Sequence, residues 1–324
     1  MKRVLYVLST LLGIAFLTIA VFPIQTQARQ GAASGVAVTE KGPVVSAILK
    51  TCLRDEPKRK EVIRVLAIGN SFSADALENY LYELAQASGK RIVIGNVAIA
   101  GGSLSNHITN LQNNLTPYIF TKIDSSGKKT VTFDNAITPI LRSEHWDYIS
   151  LQQVSQHSGM YETFVEPLPA LCRYIKENAT NPKVKLVLHQ TWAYSQNSGH
   201  PGFANYQNNQ QVMYASIVNT YKRAQKLIKA EHIVPAGTAI QNARTSFIGD
   251  RLTRDGFHLE ESYARYTVAC TWYEKIFGVS VLGNSFKPAS ISDEYKVVAQ
   301  NAAHFAVKYP DKVTVLKKFQ KQGS

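Results

Sequence analysis

The stretch VLAIGNSFS, residues 65–73, decides the fold of this chain. Its first four residues are apolar, as in a buried strand, and a glycine and an asparagine typical of a turn follow. Ser71 then precedes a helical pattern that begins near Asp75. A buried strand that runs through a turn into a helix is the first unit of an open α/β sheet, in which ligands bind beyond the carboxyl ends of the strands. Ser71 is therefore a candidate site residue.

Strand-like and helix-like patterns alternate along the rest of the chain. Predicted strands span Ile63–Ile68, Arg91–Ile99, Tyr148–Leu151, Lys185–His189 and His232–Pro235, and predicted helices span Ala76–Ala87, Thr163–Asn178 and Gln210–Ala230. This order predicts a mainly parallel five-stranded sheet with helices on both faces, a flavodoxin-like three-layer α/β/α sandwich. Residues 118–134 contain two strand-like runs around a polar turn, which predicts an inserted β-hairpin.

The first 28 residues have the composition of an export signal. Lys2 and Arg3 precede an apolar run at 4–22, and a small-residue cleavage site follows at 26–28. We therefore expect a periplasmic or secreted protein. An uncleaved membrane anchor is the alternative, because the run is close to the ~20 residues that a spanning helix needs. Pro23 and the polar residues after it favour cleavage.

Two further segments follow the predicted signal peptide. Residues 29–60 are polar and are predicted to form a linker with one short helix at Val44–Leu53. Residues 61–324 show no internal repeat, and we expect them to form one domain whose length suffices for a large core.

The charge balance is strongly basic, with a formal net charge of +13. A nucleic-acid partner is not expected, because the predicted export argues against it. The basic residues are also scattered rather than interleaved with aromatic residues. They predict a solvated basic surface, and attraction to an anionic polysaccharide or a membrane surface stays open.

The three cysteines, Cys52, Cys172 and Cys270, cannot all pair within the chain and show no Cys-x-x-Cys spacing. Cys172 and Cys270 lie in apolar helical patterns, so we expect them to be buried core residues. No histidine pair has the spacing of a helical metal site, and we expect neither a metal nor another cofactor.

A second candidate element is the segment DGFH, residues 255–258. Two intervening residues allow the Asp255 carboxylate to reach the His258 imidazole, fix its tautomer and stabilise the imidazolium. With Ser71 at a helix N-terminus, whose backbone N–H groups suit an oxyanion, these residues can perform acyl transfer. The alternatives are that Ser71 or Ser73 only caps the helix and that Asp255 and His258 form a structural pair.

These residues resemble the SGNH or GDSL-like hydrolases. Gly69-Asn70-Ser71 is similar to the first block of that superfamily, and Asp255 to His258 matches its Asp-x-x-His block. The stretch NVAIAGG at 96–102 is similar to the second block, which implies that Gly101 helps to bind the oxyanion through its N–H. The phrases TRDGFHL, PAGTAIQNAR and WDYISLQQ resemble an exported bacterial subfamily known only as a domain of unknown function, over roughly residues 62–278.

One block departs from the pattern of the superfamily. The third block normally supplies an asparagine whose side chain donates to the oxyanion, whereas this chain reads LQQVS at 151–155. A glutamine amide is the same donor on a longer arm, so we expect Gln153 in this role and Gln152 second. The alternative is that both glutamines only satisfy loop backbone groups.

The expected substrate is a neutral hydroxylated molecule. The segment at 194–211 is almost uncharged and rich in amides and aromatics, which suits a substrate-facing loop. We expect Gln152, His157 and Trp192 to contribute to substrate binding, although an aromatic residue at a strand end is more often part of the core. Together with the resemblance, this predicts an exported serine esterase that removes acetyl or similar small acyl groups from carbohydrate. The alternatives are a glycan-binding protein with a degenerate site and a polysaccharide O-acyltransferase.

Overall fold

The computed structural model describes residues 61–320. The predicted signal peptide (1–28), the predicted linker (29–60) with its short helix at Val44–Leu53, and Cys52 lie outside the described residues. Seven strands are β1 (Val62–Gly69), β2 (Arg91–Ala98), β3 (Tyr118–Ile123), β4 (Lys129–Asn135), β5 (Tyr148–Leu151), β6 (Lys185–His189) and β7 (His232–Val234). Short 3-10 helices span Ser155–His157, Pro201–Tyr206 and Lys317–Phe319.

The α-helices of the described residues are α1 (Ser71–Leu77), α2 (Leu81–Ala87), α3 (Leu104–Gln112), α4 (Ile137–Arg142), α5 (Glu162–Val165), α6 (Pro167–Asn178), α7 (Gln210–Ile228), α8 (Ala236–Arg244), α9 (Tyr263–Phe277) and α10 (Asp293–Lys308). Helices α1, α2, α8, α9 and α10 pack into one group, and α3 to α7 pack into another. None of the helices between residues 61 and 320 is both long and apolar enough for a membrane span.

The strands form one sheet in the order β4-β3-β2-β1-β5-β6-β7. Five of them, β2, β1, β5, β6 and β7, are parallel, and this confirms the predicted flavodoxin-like α/β/α architecture. The predicted hairpin also forms, as β3 and β4, but it extends the sheet antiparallel to β2 and raises the strand number to seven. Within the sheet, β2 lies on one side of β1 and β5 on the other. The strand order therefore reverses at β1, and its carboxyl end is a topological switch point, where open α/β sheets bind ligands.

Two predicted helices are each divided in the structure. The pattern at 76–87 forms α1 and α2, because Tyr80 between them has a left-handed backbone conformation with φ of 68°. The pattern at 163–178 forms α5 and α6. Pro167 begins α6, where its missing N–H breaks no helical hydrogen bond.

The core contains both cysteines of the described domain, as predicted. Cys172 and Cys270 are buried free thiols. Burial raises the pKa of the Cys172 thiol to about 12, and it also raises the pKa of Cys270. Neither side chain is therefore a reactive thiolate at neutral pH, and both act as small apolar residues.

The packing around Gly95 on β2 gives a test of this core. A Cβ at this position would lie 2.8 Å from the Trp146 ring and 2.9 Å from the Leu66 side chain. We expect Gly95→Val to lower the free energy of unfolding by about 1–3 kcal/mol, because the added methyl groups force these side chains apart. Urea denaturation measures the loss. Gly199→Ala is the matched control, since a Cβ there meets nothing within 4 Å and should change stability little.

Candidate active site

Ser71 is the first residue of α1 and lies directly beyond the carboxyl end of β1. Asn70 caps the helix, because its Oδ1 accepts a hydrogen bond of 2.9 Å from the N–H of Phe72. The Asn70 Nδ2 donates to the carbonyl of Gly102, 2.8 Å away in the loop after β2. The turn that carries Ser71 is thus fixed to the neighbouring strand exit, and Asn70 rather than Ser71 is the cap.

The structure brings Ser71, His258 and Asp255 together. The Nε2 of His258 lies 2.9 Å from the Oγ of Ser71, and its Nδ1 lies 2.6 Å from the Oδ2 of Asp255. The Oδ1 of Asp255 accepts the backbone N–H of Phe257 and of His258, at 3.1 Å and 2.7 Å. The side chains of His258 and Asp255 are 21% and 39% exposed, so the group is open to solvent.

The electrostatics of this group favour one tautomer of His258. Partial burial of Asp255 acts to raise the pKa of its carboxyl, but hydrogen bonds from the side chain and backbone of His258 outweigh burial and hold this pKa below its usual value. An ionised Asp255 accepts a hydrogen from Nδ1 of His258. The Nε2 is then free to accept the hydrogen of the Ser71 hydroxyl, which is the arrangement of a general base beside a nucleophile.

A buried carboxylate joins the helix of Ser71 to the loop of His258. The Asp75 side chain, one turn after Ser71 on α1, is only 3% exposed. It accepts the backbone N–H of Leu259 at 2.9 Å and pairs with Arg254 at 3.1 Å and Arg265 at 2.7 Å. Arg254 also donates to the carbonyl of Leu259. These contacts hold the residue next to His258 against α1, and no local sequence pattern predicts them.

Aromatic side chains also pack against the loop of His258. The rings of Phe72 and Trp192 are stacked, with centroids 4.3 Å apart and planes 12° from parallel. The Trp192 Nε1 donates a hydrogen bond of 2.7 Å to the carbonyl of Phe257. Trp192 is 0% exposed, so the prediction that it contacts substrate does not agree with the structure. Its role is to support the backbone beside His258.

The two glutamines after β5 are buried and bonded within the protein. The Nε2 of Gln153 donates to the backbone carbonyl and the hydroxyl of Thr163, and its Oε1 accepts from the N–H of Leu104 and Val154. The predicted donation from Gln153 to an oxyanion therefore does not agree with this geometry, and the alternative that it satisfies loop backbone does. Gln152 donates from its Nε2 to the Oδ1 of Asn70 at 2.8 Å and so orients the cap instead of lining a substrate pocket.

Two backbone donors near Ser71 are free. Gly101 lies in the exposed loop after β2 with φ of +62°, a conformation that favours glycine. Among residues 61–320, neither the N–H of Ser71 nor that of Gly101 donates to a protein acceptor. The loop of Gly101 is held beside the Ser71 turn, because the N–H of Ile99 donates to the carbonyl of Gly69 at 3.2 Å.

The segment at 194–211 packs on the loop of Asp255 and His258. The N–H of Ser195 donates to the carbonyl of Gly256 at 2.9 Å, and the His200 ring lies 4.8 Å from the Phe257 ring. Gly256 has φ of +91°, and a Cβ there would lie 2.9 Å from the Oγ of Ser198, so only glycine fits. The segment thus borders the site as predicted, and its contact with substrate stays a prediction.

The predicted contribution of His157 also stays a prediction. His157 ends the 3-10 helix after β5 and is half-buried. Its neighbour Gln156 accepts a hydrogen bond of 3.1 Å from the Tyr206 hydroxyl, which places this 3-10 helix against the segment at 194–211. Within residues 61–320, no group of three or more His, Cys, Asp or Glu side chains could hold a metal ion.

The sheet order and its flanking helices define a flavodoxin-like α/β/α fold. Residues 64–306 match the family described as a domain of unknown function, DUF4886. A crystal structure of a DUF4886 family protein from Bacteroides uniformis is 48% identical in sequence, with a TM-score of 0.79 over 80% of this chain and 100% of that one. The chain belongs to the DUF4886 family.

More distant structures were also found. A candidate SGNH hydrolase from Slackia heliotrinireducens is 17% identical, with a TM-score of 0.45 over 67% of this chain and 100% of that one. An acetylxylan esterase from Geobacillus stearothermophilus is 12% identical, with a TM-score of 0.45 over 68% of this chain and 95% of that one. A comparison with functionally curated proteins gave no match.

The anchor at Asp75 can be tested by removing its charge. We expect Asp75→Asn to lower the free energy of unfolding by about 3 kcal/mol or more, because two guanidinium groups lose a buried partner. Urea denaturation measures this effect. Asp311→Asn is the matched control: its pair with Lys222 has both side chains about half exposed, so the same change should matter little there. Equal effects in the two variants would show that the Asp75 pairs do not stabilise the fold.

Proposed function

We propose that this protein is an exported serine esterase that removes small acyl groups, acetyl above all, from carbohydrate. The observation that carries the proposal is the unbroken chain of hydrogen-bond contacts from Ser71 through His258 to Asp255 in a solvent-open group. Such a chain can activate a hydroxyl for attack on an ester carbonyl.

In the proposed reaction, the Oγ of Ser71 attacks the ester carbonyl while the Nε2 of His258 takes the hydroxyl proton. Asp255 orients the ring and stabilises the imidazolium. His258 then gives the proton to the leaving alcohol, and the C–O bond of the ester breaks to leave an acyl group on Ser71. Water attacks this acyl-enzyme with His258 again as the base, which releases the acid and restores the free hydroxyl.

The N–H groups of Ser71 and Gly101 are the proposed oxyanion donors. Neither donates to an acceptor within residues 61–320, and both lie at or beside the turn that presents the nucleophile. Because the Gln153 side chain donates to Thr163, we assign no side-chain donor in place of the asparagine usual in the third block. Losing one oxyanion donor typically costs on the order of 10²-fold in rate, so we expect modest turnover of unactivated esters.

The substrate class rests on the segment at 194–211. This segment is nearly uncharged, rich in amide and aromatic side chains, and packed against the loop of His258. Amides supply donors and acceptors for hydroxyl groups, and aromatic faces pack on sugar rings. The export signal proposed for residues 1–28 would bring the protein to extracellular or periplasmic polysaccharide.

A glycan-binding protein with little catalysis is the second candidate. The engagement of Gln153 favours it, because the usual side-chain oxyanion donor is missing. A transferase shares the acyl-enzyme and is separated from a hydrolase by product analysis with a sugar acceptor present.

Ser71→Ala tests the nucleophile. We expect hydrolysis of p-nitrophenyl acetate to fall by about 10³-fold or more, because Ser71 carries the one hydroxyl within residues 61–320 that is hydrogen-bonded to His258. Ser73→Ala is the matched control, since the Ser73 Oγ donates to the Asn70 carbonyl and lies outside the group, and it should retain most activity. A fluorophosphonate should label Ser71, as peptide mass spectrometry would show. Full activity in Ser71→Ala excludes the mechanism. If the wild type hydrolyses no ester and Ser71→Ala binds glycan with the same affinity as the wild type, the result favours the glycan-binding protein.

Asp255→Asn tests the orientation of the base. An amide in place of the carboxylate can donate to Nδ1 of His258 and so stabilise the wrong tautomer, and we expect kcat to fall by about 10⁴-fold. Because the pKa of Asp255 is lowered in the folded protein, the wild-type pair should persist as the pH falls to the usual carboxyl value of 3.8 and be lost below it. The measurements are kcat at neutral pH for both proteins and the pH dependence of thermal unfolding for the wild type. A kcat within tenfold of the wild type would contradict the assigned role of Asp255.

A further inference from the structure

A cavity of about 250 Å³ lies beside the edge strand β7 and contains none of the three residues of the candidate active site. We call it the β7 cavity. Its wall includes Lys222 and Lys226 from α7, His232 from β7, Lys275 from α9, and Gln190 after β6. The cavity is therefore lined mainly by groups that carry positive charge or can donate hydrogen bonds.

The acidic groups in the wall already have partners. Asp311 pairs with Lys222 at 2.8 Å, and Glu231 pairs with Lys185 at 3.0 Å. Lys226 and Lys275 form no ion pair with any residue in the described part of the chain, 61–320; Lys226 is exposed to solvent, whereas Lys275 is half-buried.

Lys275 is the more informative of the two. This residue of α9 is half-buried, and burial lowers the pKa of its ammonium group. The neighbouring His232 also has a lowered pKa, first because of burial and then because of the charge of Lys275. A half-buried ammonium without a carboxylate partner is unfavourable, since buried charges are normally paired. An anion in the cavity would supply the missing partner.

Gln190 supplies an independent observation. It is only 2% exposed, and its Oε1 accepts hydrogen bonds from the N–H and the hydroxyl of Thr238, at 3.0 Å and 3.2 Å. The donated N–H fixes which end of the amide is oxygen. Its Nε2 therefore belongs to the other end, and no acceptor within residues 61–320 takes that group. This Nε2 is not among the fully buried side-chain atoms that lack a partner in residues 61–320, so it reaches the solvent of the cavity and is free to donate to a ligand.

We propose that the β7 cavity binds a small oxyanion, a carboxylate or a phosphate group, through Lys226, Lys275 and the Nε2 of Gln190. Its volume of about 250 Å³ is large enough for a phosphate group or a single anionic sugar. The site is separate from the proposed esterase chemistry, because none of the residues that hold the anion takes part in that reaction.

Isothermal titration calorimetry of the full chain tests this site with inorganic phosphate, glucuronate and neutral glucose as probes. Saturable binding of phosphate or glucuronate at one site, without binding of glucose, is the expected result, and the preferred probe distinguishes the two oxyanion classes. Lys275→Met should weaken binding by about tenfold or more, the loss of one charge-assisted hydrogen bond. The absence of saturable binding for both anions overturns the proposal.

Two further variants separate a specific site from general basic charge. Lys176→Met removes one exposed lysine of α6 and the same net charge, and it should leave anion affinity unchanged. Equal losses in Lys176→Met and Lys275→Met overturn the proposal. Gln190→Glu keeps an acceptor for Thr238 but replaces the donor by a second acceptor, so it should abolish binding while thermal unfolding shows a folded protein. Retained affinity in folded Gln190→Glu excludes Gln190 as a ligand. Ser71→Ala should bind the anion as the wild type does, so failure of the esterase proposal leaves this test intact.

Discussion

The buried charge of Asp75 is the interaction on which the candidate active site depends. Ser71 reaches its position through a strand and a turn, whereas His258 arrives from a loop 187 residues further along the chain. Nothing in either segment alone fixes their separation. Asp75 does so, because it stands on the helix of Ser71 and accepts the N–H of Leu259, directly after His258. Arg254 and Arg265 compensate its charge, and the cost of burying a carboxylate is thereby offset.

The parallel sheet determines where Ser71 and Asp75 lie. Parallel pairing of β1 with β2 and β5 brings three strand exits to one edge, where the turn of Ser71, the loop of Gly101 and the segment at 151–155 meet. Hydrogen bonds between side chains and backbone then lock these loops together. Asn70 bonds to Gly102, and Gln152 bonds to Asn70. Ser71 is thus held by a network of neutral amides on one side and by the ion-paired carboxylate of Asp75 on the other.

The parallel strands and the meeting of Ser71, Asp255 and His258 were predictable from the sequence. Continuous apolar runs mark strands that are buried on both faces, and short motifs mark residues whose spacing is set locally. The rest depends on contacts between distant segments. Polarity alone does not show that Gln153 is bonded to Thr163, that Trp192 is covered by Phe72, or that Asp75 is paired with two arginines. Asp75 and Arg254 are plain in the sequence, but no local rule indicates that two residues 179 positions apart form a pair.

The close packing of Gly256 under Ser198 has a mechanical consequence. Gly256, in the loop of Asp255 and His258, shares a backbone hydrogen bond with the segment at 194–211, and the two leave no room for a Cβ between them. The two cannot shift independently. In the proposed function, a sugar that displaced the segment at 194–211 outward would draw the His258 ring away from the Ser71 hydroxyl, whereas one that bound snugly to it would hold the ring in place. In the proposed esterase, binding of the sugar and alignment of Ser71 with His258 would therefore be coupled.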